Sequence, residues 1–328
     1  NKVIRFGFIG VTMFLTPIIF IKTQNDSKIL LNYFKYSILI ILFAIIGQFL
    51  YFAISGKFAF LLGYYNRFSI PGANPIQVSR YLAIGATIMT VYIIRRSVFY
   101  NISHFLILLA LLLAIIATGS RGPLVSIFFG IICYAYLFEK QHKKRIYLYG
   151  SFTIIIAFSL LIILPEIITK RFFDVTQGAV LLTPEGVKHV STVATRLGYW
   201  QMSIESWFSS IWNNFLGLGA GGFSSLFIWR DWRWYPHNVF FEVLVEYGSI
   251  GLIVFISFLI LSYKKISEGL VEGIFTDHSA VWVAVTLVMF FSAQFSGDIN
   301  DNRVLWMLIG ITIASTHVDQ VKNIKVVH

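Results

Sequence analysis

Nine apolar runs fix what this chain can fold into. They lie near residues 3–21, 36–54, 76–94, 102–118, 122–138, 147–165, 247–262, 279–295 and 303–316. Each is long enough, or nearly so, to cross a hydrocarbon core of ~30 Å as a helix of ~20 residues, the shorter ones with help from interfacial anchors. Backbone polar groups in lipid must pair within their own segment, so the spans are predicted to be helices. The expected fold is all-α, a polytopic transmembrane bundle of at least nine spans forming a single membrane domain over 1–328. One large loop, 166–236, stands outside the bilayer and contains amphipathic helices. The chain begins with Asn1 rather than Met, which leads us to expect further helices upstream. Only 12% of the residues are charged, too few for the surface of a soluble domain of this length. The single cysteine, Cys133, excludes a disulfide framework.

Charge placement predicts the orientation. Lys22, Lys28, Lys35, Arg95, Arg96, Lys140, Lys143, Lys144, Arg145, Lys264, Lys265, Lys322 and Lys325 fall in one set of loops. By the positive-inside rule these face the cytoplasm, so the net charge of +11 reads as membrane topology, not nucleic-acid binding. The 166–236 loop, Arg121, His237 and the Ser296–Arg303 turn then lie outside. The outer cations are mainly arginine: Arg67, Arg80, Arg121, Arg196, Arg230, Arg233 and Arg303. An arginine fork grips phosphate oxygens two at a time, which points to an anionic, lipid-borne ligand. The alternative for each arginine is pairing with an outer carboxylate such as Asp298 or Asp301. No charge is expected within a span.

Within the loop, Thr195 is expected to cap a helix from Arg196 to Trp212, with Leu197, Trp200, Ile204, Trp207, Phe208 and Ile211 at helical spacing. Such a helix suits the outer interface. Gly217-Leu218-Gly219-Ala220-Gly221-Gly222 matches a dinucleotide fingerprint by letter, but no βαβ unit surrounds it. A hairpin that lets backbone approach a neighbour is the better reading. Trp229, Trp232 and Trp234 alternate with Arg230 and Arg233, a pattern suited to sugar rings and phosphate or to an ordinary aromatic belt.

His237, fixed by Pro236 and followed by Asn238, is the leading proton acceptor, because neutral imidazole can take a proton near pH 7. A structural hydrogen-bonding role is the competing reading. Asn238 would cap the next helix or hold a sugar hydroxyl, and Glu242 and Glu246 share a face of that helix. Arg121 sits in Thr118-Gly119-Ser120-Arg121-Gly122-Pro123, where Pro123 is expected at the first helical position. Arginine plus a helix N-terminus makes an anion site. Asp298 and Asp301 lack metal-site spacing, and no metal is expected.

These pieces resemble the O-antigen ligase and O-antigen polymerase superfamily of bacterial envelope enzymes. The resemblance runs from about Pro71 to Arg303. It rests on Pro71-Gly72-Ala73-Asn74-Pro75, Ser120-Arg121-Gly122, Thr195-Arg196 with Trp200, Phe215-Leu216-Gly217-Leu218-Gly219, and Pro236-His237-Asn238 followed by Gly248 and Gly251. It implies metal-independent, inverting transfer of glycan from undecaprenyl diphosphate on the outer face of the bacterial inner membrane, without a cofactor. The acceptor would be another lipid-linked glycan, as in a polymerase, or a lipid A core, as in a ligase. A chain-length regulator protein is a candidate partner. His237, Arg121 and Arg196 carry over as catalytic. Asn238, Arg230, Arg233, Arg303, Trp232 and Trp234 are added as substrate contacts from their placement. A protein O-oligosaccharyltransferase is the third enzyme within the resemblance. A lipid-linked oligosaccharide flippase and a structural membrane subunit are the alternatives outside it.

Overall fold

A computed structural model describes residues 2–56, 70, 72–95, 102–138, 179–183, 186–190, 192–227, 234–269 and 276–327, with isolated residues between 144 and 162. Among the described residues the regular elements are helices, including a 3-10 turn at Gly222–Leu226, apart from one hairpin. The helices are α1 (Lys2–Phe20, with a π-helical stretch at Phe6–Val11), α2 (Gln24–Ile54), α3 (Pro75–Arg95), α4 (Ile102–Ala117), α5 (Arg121–Leu137), α6 (Thr192–Phe208), α7 (Ile211–Leu216), α8 (Val239–Gly269), α9 (Asp277–Ser292) and α10 (Arg303–Val327). Antiparallel strands β1 (Ala179–Thr183) and β2 (Gly186–Val190) pair Ala179 with Val190 through to Thr183 with Gly186. Among the described residues this hairpin is the one departure from the all-α expectation, and it falls within the 166–236 segment.

Among the described residues, five helices are long and apolar enough to cross a membrane: α1, α2, α3, α8 and the Arg303–Val321 part of α10. Three more apolar helices, α4, α5 and α9, are shorter. Most of the expected 147–165 span lies outside the described residues. The chain divides into two compact units. Unit 1 comprises Asn1–Pro17, Asp174–Ile266 and Ala293–Gly310, and unit 2 comprises Ile18–Phe173, Ser267–Ser292 and Ile311–His328.

Unit 2 is built around α3, which packs on α2, α4, α5 and α9. Its apolar residues point in every direction, and Leu82, Ile84, Ile88 and Ile94 are all fully buried. That is the signature of a helix enclosed by other helices. Small residues set the close approaches. A Cβ on Gly130 would lie 2.8 Å from the Val288 backbone, and one on Gly85 would meet Ile38. Polar side chains add interhelical bonds: Trp282 Nε1 donates to Ser27 Oγ (3.1 Å), and the Thr286 and Thr312 hydroxyls share a 2.7 Å bond.

Helix α2 starts twelve residues earlier than its apolar run suggests. A reciprocal cap between Thr23 and Asp26 begins it, and Ser27 and Leu31 anchor its first turns in the interior. Lys28 and Lys35, expected in a loop, therefore lie on this helix. Lys35 Nζ sits 5.3 Å from the centre of the Tyr92 ring. Arg80 likewise belongs to α3 and is buried.

In unit 1 the first part of α1 lies against the start of α10. Phe6 meets Trp306 edge-on at 6.0 Å, and a Cβ on Gly310 would collide with the Phe14 carbonyl. The absence of charge expected within the spans does not hold. Lys2 pairs with Glu242 and with Glu246 (2.7 Å), both carboxylates being fully buried in the first two turns of α8. The Ile299 amide also donates to Glu242 at 3.0 Å. These acids sit in lipid-length helix because α8 begins at Val239, eight residues before its apolar run.

Helix α8 is broken at Gly248, whose φ of 64° and ψ of −164° lie outside helical space. The break frees two carbonyls, and the glycine segment of the loop satisfies them. Leu218 N–H donates to Val245 O and Gly219 N–H to Glu246 O, both at 2.9 Å. The backbones approach so closely that a Cβ on Gly217 would lie 2.5 Å from Glu246 C, and one on Gly248 2.4 Å from Phe215 C. The close-approach reading of this segment is thus the correct one. Gly248→Ala combines a positive φ with a backbone clash, so we expect it to destabilise by about 2 kcal/mol or more. Thermal unfolding in detergent should show a fall in Tm, with Gly219→Ala, which has open space at its Cβ, affected less.

Candidate functional site

The site is built in unit 1 where α6 crosses the turn that opens α8. Asn238 begins α8: its Oδ1 accepts the N–H groups of Phe240 (2.9 Å) and Phe241 (3.3 Å), so the expected capping role is the one it plays. Its amide also donates to Gln294 O at 3.5 Å. His237 immediately precedes it. With φ of 60°, His237 has a positive φ that no other non-glycine among the described residues adopts. Such strain persists only where surrounding structure enforces it, and it concentrates at functional positions.

Helix α6 supplies that surrounding structure. It runs from Thr192 to Phe208, earlier at both ends than the expected Arg196–Trp212 helix. Ser210 caps the separate short helix α7, with its hydroxyl accepting from Asn213 N–H at 3.1 Å. The pair of serines at 209 and 210 divides what the apolar spacing alone joins. Tyr199, on the buried face of α6, stacks nearly parallel to His237, with ring centres 6.2 Å apart and planes 13° apart. Tyr235 also packs on the imidazole, its ring tilted by 57° with centres 4.4 Å apart. Trp200 donates its indole N–H to Pro236 O at 3.0 Å and stacks on Phe241 at 5.2 Å. Leu197, Ile204 and Phe208 remain exposed along the opposite stripe, as do Ile211, Trp212 and Phe215 of α7. That pattern is the one an interfacial helix presents.

Electrostatics distinguish this imidazole from an ordinary one. Burial disfavours its charged form, and the Arg196 guanidinium beside it adds repulsion, so the pKa falls to about 4. His237 is neutral at physiological pH. Its Nδ1 is buried and has no hydrogen-bond partner among the described residues. The Tyr235 phenol is driven the other way, up to about 12, by burial and by the carboxylates of Asp301 and Asp298. Its hydroxyl faces the Ser296–Gly297 backbone turn.

Of the expected site residues, His237, Asn238 and Arg196 come together here. Arg303 is the exposed first residue of α10 in the same unit. Trp234 is half-buried in an aromatic cluster with Tyr199, Phe223 and Phe227, so its ring serves the core of the loop. Arg230, Arg233 and Trp232 lie outside the described residues. Arg121 lies in unit 2, where it opens α5 after an extended Ser120 and a left-handed Gly119. Pro123 is the third residue of that helix, not the first, a position whose N–H has no intrahelical partner in any case. Tyr199, Trp200 and Tyr235 were not singled out as site residues from sequence. The signal was available, because Tyr199 and Trp200 stand three and four residues after Arg196 and so share its helix face.

Comparison with known proteins agrees with the resemblance read from the residues. Residues 106–256 match the family described as O-antigen ligase. The match spans α4 to the middle of α8 and includes Arg121, Arg196 and His237. A search of curated proteins finds no match.

Proposed function

We propose, for a multi-pass membrane protein carrying an O-antigen ligase family domain at residues 106–256, that it transfers glycan from a polyprenyl diphosphate to a sugar hydroxyl. The observation that carries this reading is the pairing of a strained, neutral, half-buried imidazole with a guanidinium on the neighbouring helix. In the proposed step the acceptor oxygen attacks the anomeric carbon and the bond from that carbon to the diphosphate oxygen breaks. The diphosphate leaves with the electron pair. The acceptor proton passes to His237, and configuration inverts.

Arg196 holds the diphosphate and stabilises the charge that develops on it, which is the kind of term that dominates in such transfers. Arg121 is assigned to an anionic substrate group in this reading, supported by its place at a helix N-terminus within the matched segment. Arg303 is assigned to the same anionic substrate on its charge and exposure. Arg230, Arg233 and Trp232 are assigned to the glycan on sequence grounds alone. The active face is the one away from the cytoplasm, as the distribution of lysines supports.

Purified protein incubated with lipid-linked repeat units, with and without a lipid A core acceptor, separates the possible products. We expect a ladder of lengthened glycans without the core, as a polymerase makes. A product that forms only when the core is present assigns a ligase instead. No glycan transfer under either condition overturns the reading. A lipid-linked oligosaccharide transporter is the second reading, favoured by one observation. The buried Glu242 and Glu246 and the half-buried Lys2 that pairs with them lie in membrane-length helices, where ionisable groups commonly serve transport.

A further inference from the structure

Three features of unit 1 fix the orientation of the His237 imidazole, and one side chain reaches most of them. After His237, the Asn238 side chain accepts the Phe240 and Phe241 amides and so anchors the chain at the start of α8. The peptide plane before His237 is held from α6, by the indole N–H of Trp200 on the Pro236 carbonyl at 3.0 Å. The same indole stacks on Phe241 with planes 19° apart, so Trp200 touches the chain on both sides of His237. Anchoring the chain on both sides holds the backbone between, with the φ of 60° that a histidine seldom adopts, and the Tyr199 ring stacked on the imidazole restricts its side chain. Trp200 stands one turn beyond Arg196, so one helix face carries the guanidinium, the Tyr199 ring that stacks on the imidazole, and this latch.

We propose that Trp200 is a positioning residue: its hydrogen bond to the Pro236 carbonyl holds the His237 imidazole in the orientation that accepts the proton of the attacking hydroxyl. This rests on the reading of His237 as the proton acceptor. The indole nitrogen, not the bulk of the ring, is the essential part. A misplacement of about 1 Å in a catalytic group can cost on the order of 10²-fold in rate, so a latch without direct substrate contact can matter to turnover.

Trp200→Phe keeps a ring to stack on Phe241 and removes only the donor. It should lower kcat about tenfold or more and leave the donor KM within about twofold. A second measurement reads the imidazole without reference to activity. Carbethoxylation of His237 by diethyl pyrocarbonate, followed by peptide mass spectrometry, should proceed several-fold faster in Trp200→Phe than in the unsubstituted protein. The third arm is a cycle with His237→Ala. Once the imidazole is gone, Trp200→Phe should cause little further loss. A labelling rate within twofold of the unsubstituted protein overturns the proposal, as does an equal fractional loss of turnover in both backgrounds. Normal turnover of His237→Ala alone removes the proton-acceptor reading, and the labelling rate then still decides whether Trp200 sets the imidazole.

Discussion

His237→Gln is expected to lower kcat by about 10²–10⁴-fold, with donor KM changed only a few-fold. Glutamine can occupy a similar volume and hydrogen-bond, but it cannot take up a proton. The distinctive part of the expectation is the pH profile. Burial and the Arg196 charge hold the free imidazole near a pKa of 4. The acid limb of kcat/KM, which reports the free enzyme, should therefore lie near pH 4 and not near the ordinary histidine value of about 6.5. A base so weak is poorly matched to neutral pH. Binding of a diphosphate to Arg196 offsets the repulsion that depresses it, so the acid limb of kcat should lie above that of kcat/KM. Coincident limbs near pH 6.5 would contradict this coupling. The same shift affects folding. Between about pH 6.5 and 4 the unfolded chain binds a proton at this position that the native state refuses. His237 thus lowers stability as pH falls through that window and has no effect on it above.

Arg196→Ala should reduce kcat/KM by about 10²–10³-fold, the scale seen when a charge-stabilising donor is removed. It should also move His237. With the guanidinium gone only burial depresses the imidazole, so the acid limb of kcat/KM shifts upward from about pH 4. Arg196→Lys tells the two effects apart. Lysine keeps the charge and hence the depressed limb, but it loses the two-pronged grip on phosphate, so affinity for the donor falls. A variant that loses activity without any movement of the limb would mean that Arg196 and His237 act independently. Arg121→Lys, tested alongside, should weaken donor affinity without moving the limb by the Arg196 route.

Helix type was largely legible because lipid-length apolar runs allow only one backbone solution, whereas five helices among the described residues, against nine expected spans, are long and apolar enough to cross a membrane. The ends of the helices were not legible. Helix α2 conceals its first twelve residues behind the exposed Asn25 and Lys28 and the half-buried Lys35, although Ser27 and Leu31 among them are buried. Charge inside the bundle was hidden for a related reason. Lys2 and the pair Glu242 and Glu246 are more than two hundred residues apart, and only tertiary packing brings them into contact. The glycine segment announced a close backbone approach. Its partner, the break at Gly248, could not be foreseen, because a glycine within an apolar helix usually leaves it intact. His237 and Asn238 were readable as a pair since proline, histidine and a capping side chain follow one another directly. The aromatic shell of Tyr199, Trp200 and Tyr235 around the imidazole is not legible in sequence, where Trp200 reads as part of an apolar stripe, because its hydrogen bonds and ring angles exist only in the folded protein.

The most direct test of glycan transfer is the release of free polyprenyl diphosphate from a labelled lipid-linked oligosaccharide by the protein reconstituted in liposomes. One equivalent released for each glycosidic bond formed, without nucleotide sugar and unchanged by EDTA, is the predicted result. Passage of intact lipid-linked oligosaccharide from one leaflet to the other, with no diphosphate released, would contradict it and identify a transporter.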